Sequence, residues 1–163
     1  GADKICLNTM AFTNPDFITE AANEFGSQCI VVSLDAKKLN DGHYVFGNSG
    51  KNNTKLTACD LSKIVEEKGA GEIFINSIDN DGVGKGYDID LIDDVSSSVN
   101  IPVIACGGVG EWEHFSDALD KTNVDAVAAA NIFHYIDQSV FIAKKYLHDA
   151  GYNFRRPDLI KIK

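Results

Sequence analysis

Carboxylates and paired glycines stand where several apolar stretches of this chain give way to polar ones. Asp35 closes the run Cys29-Ile-Val-Val-Ser-Leu-Asp35. A carboxylate at the mouth of a dry site can serve as general acid or base. The same position also suits a helix cap or an ion pair with Lys37 or Lys38. Asp79 and Asp81 follow the apolar Glu72-Ile-Phe-Ile-Asn-Ser-Ile, in a loop that reaches Asp88 and carries three glycines. The loop imitates a calcium-binding segment, but the downstream ligands and the closing glutamate are missing. Asp79 therefore reads either as a turn-stabilising or as a functional residue, and Asp81-Gly82 as a turn that aims backbone N–H groups at an anion. Gly107 and Gly108 end Ile101-Pro-Val-Ile-Ala-Cys106. They remove side chains where the chain turns sharply or lets something approach its backbone. Glu111-Trp-Glu-His-Phe115 reads as the start of a helix whose free N–H groups and positive dipole end lie near those glycines, a ready anion site. Plain tight-turn geometry is the other reading of the glycine pair.

The remaining reactive residue types carry less. His43 and His148 read as solvent residues, and His114 and His134 as surface or packing residues. No Ser–His–Asp or Cys–His arrangement is evident. Cys6, Cys29, Cys59 and Cys106 form no close pair, so neither a zinc site nor a redox couple is indicated. Lys4 and Glu72 each open a strand and read as a structural charge pair at the opposite end from Asp35. A net charge of −9 argues against nucleic acid or an anionic membrane as a general partner. It leaves room for a phosphorylated substrate, which needs only a local pocket. No apolar run approaches a membrane span and no secretory leader is seen, so a reduced, cytoplasmic protein is expected.

These residues must be held by a regular frame. Strands are predicted at Asp3–Asn8, Cys29–Asp35, Glu72–Asp79, Ile101–Cys106 and Val124–Ala129. Helices are predicted at Asn14–Phe25, Thr57–Lys68, Asp88–Ser97, Glu111–Leu119 and about Gln138–Leu147, with a short helical turn at Asn131–His134 and a basic, loose tail from Asn153 to Lys163. The polar segment from Lys37 to Asn53 reads as a small hairpin over one end of the fold. Alternating strands and helices mean parallel strands with helical crossovers. Polar or glycine residues recur at the C-terminal end of each strand, which favours a (β/α)8 barrel over an open doubly wound sheet. The expected fold is α/β, one domain over residues 1–163 forming the C-terminal portion of such a barrel, with about five βα units and an exposed sheet edge. The first residues lead straight into a strand, so the chain reads as the later part of a longer one.

A family resemblance spans essentially the whole chain. It rests on ordered motifs: Asn8-Thr9, Val31-Val-Ser-Leu-Asp-Ala-Lys37, Ser49-Gly-Lys-Asn-Asn-Thr54, Asn76-Ser-Ile-Asp-Asn-Asp-Gly82, Gly86-Tyr-Asp88, Pro102-Val-Ile-Ala-Cys-Gly-Gly-Val-Gly110 and Ala128-Ala-Ala-Asn-Ile-Phe-His134. Together they resemble the cyclase subunit of imidazole glycerol phosphate synthase, a (β/α)8 barrel, from its fourth strand onward. The resemblance implies an ammonia-using lyase of histidine synthesis that forms imidazole glycerol phosphate and aminoimidazole carboxamide ribotide. It implies a glutaminase partner, a phosphorylated small-molecule substrate, and no metal or other cofactor. Asp35 would be one of two catalytic aspartates, the other ending a first strand that this chain lacks. Asn8 and Thr9 match the surroundings of one substrate phosphate. Asp81, Gly82, Gly107, Gly108 and Asn131 match those of the other, and Asn76 would face the reacting portion. Asp3, Lys4 and Glu72 match the glutaminase-facing base, where ammonia enters.

Three departures mark this chain: Asn131 in place of a usual serine, Val83-Gly84-Lys85 after Asp81-Gly82, and a longer, more basic tail. They also fit a paralogue that works with an amidotransferase to amidinate a sugar nucleotide in surface-polysaccharide synthesis. A third reading is an inactive fragment that binds a phosphate or a partner.

Overall fold

The computed structural model describes residues 1–134 and 139–157. Its strands are β1 (Ile5–Leu7), β2 (Ile30–Leu39), β3 (Gly42–Gly47), β4 (Asn52–Thr57), β5 (Glu72–Ser77), β6 (Val103–Cys106) and β7 (Ala126–Val127). Its helices are α1 (Met10–Thr13), α2 (Asp16–Phe25), α3 (Ala58–Glu67), α4 (Ile89–Ser96), α5 (Glu113–Lys121) and α6 (Val140–Asp149), with a 3-10 turn at Asn131–His134. The predicted start of the last helix at Gln138 and the tail beyond Pro157 lie outside the described residues.

Five strands run parallel in the order β1, β2, β5, β6, β7. Parallel neighbours thus follow chain order without reversal. An open doubly wound sheet reverses its order partway, so the arrangement is an arc of the (β/α)8 type. Residue alternation separates the two faces of the arc. In β2, Ile30, Val32, Leu34 and Ala36 are fully buried, and so are Ile73 and Ile75 in β5 and Val103 and Ala105 in β6. Helices α2, α3, α4 and α5 pack on this face, α3 beside α4 and α4 beside α5. They supply Ile18, Leu61, Val65, Leu91, Ile92, Val95 and Phe115 to the core. Each fully buried aliphatic side chain is worth about 1.5–3 kcal/mol, so this layer fixes the arc. The opposite face carries Ser33, Asp35, Phe74, Asn76, Ile104 and Cys106, all half-buried.

Helix ends follow local chemistry. The Thr57 side chain caps α3 by accepting from Asp60 N at 3.0 Å, and Asp88 caps α4 by accepting from Leu91 N at 3.2 Å. Pro15 precedes α2, but the Asn14 side chain makes no cap, and the first turn is closed by backbone bonds alone. Strand β2 runs four residues beyond Asp35, to Leu39, because Ala36–Leu39 pair antiparallel with Gly42–Val45 of β3. The expected hairpin is therefore a strand extension, a return strand and a third strand, β4.

Candidate active site

Asp35 lies on the open face of β2, with Asn76 opposite it on β5. One carboxylate oxygen accepts from Asn8 Nδ2 at 3.1 Å and the other from Asn76 Nδ2 at 3.2 Å. Asn8 Nδ2 also bonds Ser33 O at 3.1 Å, which seats the end of β1 on β2. The ion pairs that competed for Asp35 in the sequence go elsewhere. Lys37 Nζ lies 3.9 Å from Asp79, and Lys38 Nζ lies 3.2 Å from Asp90. Asp79 also accepts from Lys38 N at 2.9 Å, so it does stabilise the turn, tying its loop to β2. Asp35 is left with neutral amide donors on one side and a cavity on the other.

That cavity, of ≈ 250 Å³, is lined by Asp35, Ser49, Gly50, Asn76, Ile78 and Asp81. A carboxylate accepts, so it holds the Asn76 amide by its NH2 group. Asn76 Oδ1 is then buried without a donor. Such an orphan acceptor in a cleft calls for an explanation, and a ligand N–H or O–H supplies one. Ser49 and Gly50 come from the β3–β4 turn, where Asn48, Ser49 and Gly50 all have positive φ, of 52°, 56° and 76°. This turn curls the hairpin tip over Asp35. The sequence marks Asn48-Ser-Gly as a turn, but not how far it reaches.

Asp81 also lines a second, narrower notch with Gly82, Gly107, Gly108 and Asn131, so the two spaces meet at one residue. Among the described residues no hydrogen-bond acceptor is found for the N–H groups of Gly82 and Gly108. Of the N–H groups expected to be free at a helix start from Glu111, that of Glu111 is not, nor is that of Gly110 before it. Both donate to His114 Nδ1, at 3.1 and 3.3 Å. These two N–H groups, just ahead of α5, are therefore spent on the His114 side chain, whereas Gly82 and Gly108 keep donors at the notch itself. Burial, reinforced by the Asp81 charge, pushes the Cys106 thiol up from its ordinary value. An aromatic cluster backs the notch: Trp112 stacks on Phe115 at 6.0 Å, and Phe115 and Phe133 lie 6.3 and 6.4 Å from Tyr87 and Trp112 respectively. Tyr87 Oη donates to Ala128 O at 2.8 Å. The sequence assigns no role to Tyr87 within Gly86-Tyr-Asp88; its burial and this bond make it the strut between the Asp79–Asp88 loop and the end of β7.

At the other end of the strands Lys4 Nζ donates to the Glu72 carboxylate. Four residue steps along β5 separate Glu72 from Asn76, about 13 Å at strand rise. Asp3 is exposed, and among the described residues it joins no ion pair. Thr9 is exposed at the start of α1, and its backbone carbonyl receives the Thr13 hydroxyl at 2.9 Å. The structure thus gathers Asp35, Asn76 and Asp81 around one cavity, with Asn8 bonded to Asp35, and Asp81, Gly82, Gly107, Gly108 and Asn131 around the adjoining notch. It sets Lys4 and Glu72 apart from both.

One histidine departs from expectation. His43 is buried, not solvated: β3 folds back along β2 and places Nε2 at 3.2 Å from Asp88 and Nδ1 at 3.9 Å from Asp94. It lines a cavity of ≈ 390 Å³ with Lys38, Asp90 and Lys121, away from Asp35. Among the described residues there is no group of three His, Cys, Asp or Glu side chains that could hold a metal ion, and no helix is long and apolar enough to cross a membrane.

The family model described as "Histidine biosynthesis protein" matches residues 1–138. Among curated proteins, the chain is 46% identical over 157 residues to "Imidazole glycerol phosphate synthase subunit HisF" of Clostridium botulinum (strain Okra / Type B1), covering 95% of this chain and 62% of that protein. It is 49% identical over 156 residues to the protein of the same name from Hydrogenobaculum sp. (strain Y04AAS1), and 46% identical over 155 residues to that of Chlorobium phaeovibrioides (strain DSM 265 / 1930), with the same coverages. The chain therefore spans about three fifths of the length of the curated relatives it matches. With the parallel arc and the strand-end site already in place, these matches assign the chain to the histidine biosynthesis protein family.

Proposed function

We propose that this chain supplies Asp35 and an anion notch to an ammonia-using cyclase and lyase, a subunit of imidazole glycerol phosphate synthase working in the cytoplasm with a glutaminase partner. The observation that carries this reading is the clamp on Asp35. Two asparagine amides hold both of its oxygens at 3.1 and 3.2 Å, at the wall of a cavity that shares Asp81 with the glycine notch. A substrate phosphate seated on Gly82 and Gly108 would place the adjoining part of the molecule over Asp35. There a fixed carboxylate can take a proton from the attacking nitrogen and return one to the leaving group. The orphan Asn76 Oδ1 would receive a substrate N–H or O–H, and Asn8 and Thr9 would flank the substrate's other phosphate. Ammonia would enter from the far end of the strands, past Asp3, Lys4 and Glu72. The steps are proton transfers and C–N bond changes, which the side chains can serve without a metal.

The test is ammonia-dependent turnover of the ribotide substrate by the full-length protein, followed spectroscopically. Asp35→Asn is expected to lower turnover by at least about 10²-fold with substrate affinity held within tenfold. Unchanged turnover would remove Asp35 from the mechanism. Asn131 at the notch favours a second reading, the amidination of a sugar nucleotide. Turnover of a sugar nucleotide by a folded protein that leaves the ribotide untouched would select it, whereas an inactive protein that only binds phosphate would turn over neither substrate.

A further inference from the structure

We infer that His114 is a positioning residue for the anion notch, a clamp that fixes one glycine loop against the other. The inference rests on the anion reading of that notch. The two walls come from separate loops: Asp81 and Gly82 from the segment after β5, Gly107 and Gly108 from the segment after β6. They meet at one backbone bond, Gly86 N to Gly108 O at 2.8 Å, and Asn80 Nδ2 holds Gly86 O at 3.0 Å. His114 touches both walls. Its Nδ1 accepts from Gly110 N and Glu111 N, at 3.1 and 3.3 Å, on the chain just beyond the Gly107–Gly108 wall. A nitrogen that accepts carries no proton, so the ring is the Nε2–H tautomer. The other edge of the ring covers Gly86: a Cβ there would sit 3.4 Å from His114 Cδ2 and 3.6 Å from Nε2.

The consequence is geometric. Free N–H donors on different loops bind one anion only if their separation is held within a few tenths of an ångström. The Gly86–Gly108 bond sets that separation, and His114 packs over one partner while anchoring the continuation of the other. Without the ring, two N–H groups lose their acceptor and Gly86 loses its cover. Asparagine at this position keeps an acceptor where Nδ1 stands, whereas alanine keeps none. A role limited to packing would not make that distinction.

The experiment uses the full-length protein, with His114→Ala, His114→Asn and Gly108→Ala variants. Inorganic phosphate is titrated while the amide resonances of Gly82 and Gly108 are followed, and hydrogen exchange at Gly86 N–H is measured without phosphate. His114→Ala is expected to weaken phosphate binding at least tenfold and to speed Gly86 exchange at least tenfold. His114→Asn should return both to within threefold of the parent. Unaltered Gly86 exchange in His114→Ala would overturn the clamp, and so would lost exchange protection with unaltered phosphate affinity. If the alanine variant does not fold, the asparagine variant decides: tenfold weaker phosphate binding there refutes the acceptor role. A parent protein that binds no phosphate, with Gly86 exchange still governed by His114, would strike the anion reading and not the clamp.

Discussion

Gly108→Ala offers a quantitative check on the notch, because its cost can be set against that of a neighbouring glycine. Gly108 has φ +106°, and a Cβ there would clash with the Gly86 carbonyl oxygen while lying 2.8 Å from the carbonyl carbon and 3.0 Å from Asn80 Cβ. The atoms it meets are largely backbone, so they cannot swing aside. Three costs combine: about 1–2 kcal/mol for an alanine held at positive φ, about 1–3 kcal/mol for overpacking, and about 1 kcal/mol for weakening the Gly86–Gly108 hydrogen bond. The sum is roughly 3–6 kcal/mol, or about 9–18 °C in Tm at about 3 °C per kcal/mol for a chain of this size. Gly82 stands on the facing wall with φ +76° and open space around its Cβ position. Gly82→Ala should therefore carry the strain alone, about 1–2 kcal/mol and roughly 3–6 °C. Thermal unfolding followed by circular dichroism separates the two, and phosphate titration should find binding abolished in Gly108→Ala. Equal Tm shifts for the two variants, or a Gly108→Ala shift below about 3 °C, would refute the close approach of the loops.

Three further outcomes are expected. Lys4→Ala should change stability by less than about 1 kcal/mol, since Lys4 is exposed and its partner only partly covered; if this end admits ammonia, glutamine-supported turnover falls while turnover on added ammonium persists, and equal losses on both sources would exclude the entry role. Burial and the Asp81 charge raise the Cys106 thiol, so less of it is thiolate at pH 8 and its alkylation by iodoacetamide should lag behind that of a free cysteine; mass spectrometry of the Cys106 peptide checks this, and an equal rate would place the thiol in the open. Burial raises the Tyr87 hydroxyl far above its ordinary value; its folded form is the protonated one, so its contribution is complete below pH about 10 and is lost as pH rises above that. Tyr87→Phe should cost about 1–2 kcal/mol at neutral pH through the Ala128 carbonyl it leaves unpaired, yet lose stability less steeply than the parent in alkaline urea titrations; parallel slopes would contradict the burial.

Much of the frame was legible because its signals are local. Cys29-Ile-Val-Val-Ser-Leu is too continuously apolar for anything but a strand covered by helices, and Gly26 and Gly69 stop helices where left-handed backbone is needed, at φ +87° and +100°. The site residues at strand ends were legible for the same reason: a polar residue that closes an apolar run has to stand at the mouth of the fold. What went unread depended on partners distant in sequence. In sequence Asp35 suits an acid–base role, a helix cap or an ion pair with Lys37 or Lys38, and only the position of the Asp79 loop and of α4 takes both lysines away. His43 sits in a polar stretch that reads as solvent, yet the extension of β2 carries it under the N-cap of α4.

The sequence by itself determined the succession of strands and helices, the residue types at each strand end and the places where only glycine fits, because periodicity, capping and φ preference are properties of short segments. The tertiary structure alone decided which of those residues share a cavity. The Asn8 and Asn76 clamp on Asp35, the orphan Asn76 oxygen and the capture of two N–H groups by His114 all follow from register and loop contacts, which depend on how separate segments pack and not on what any one of them prefers.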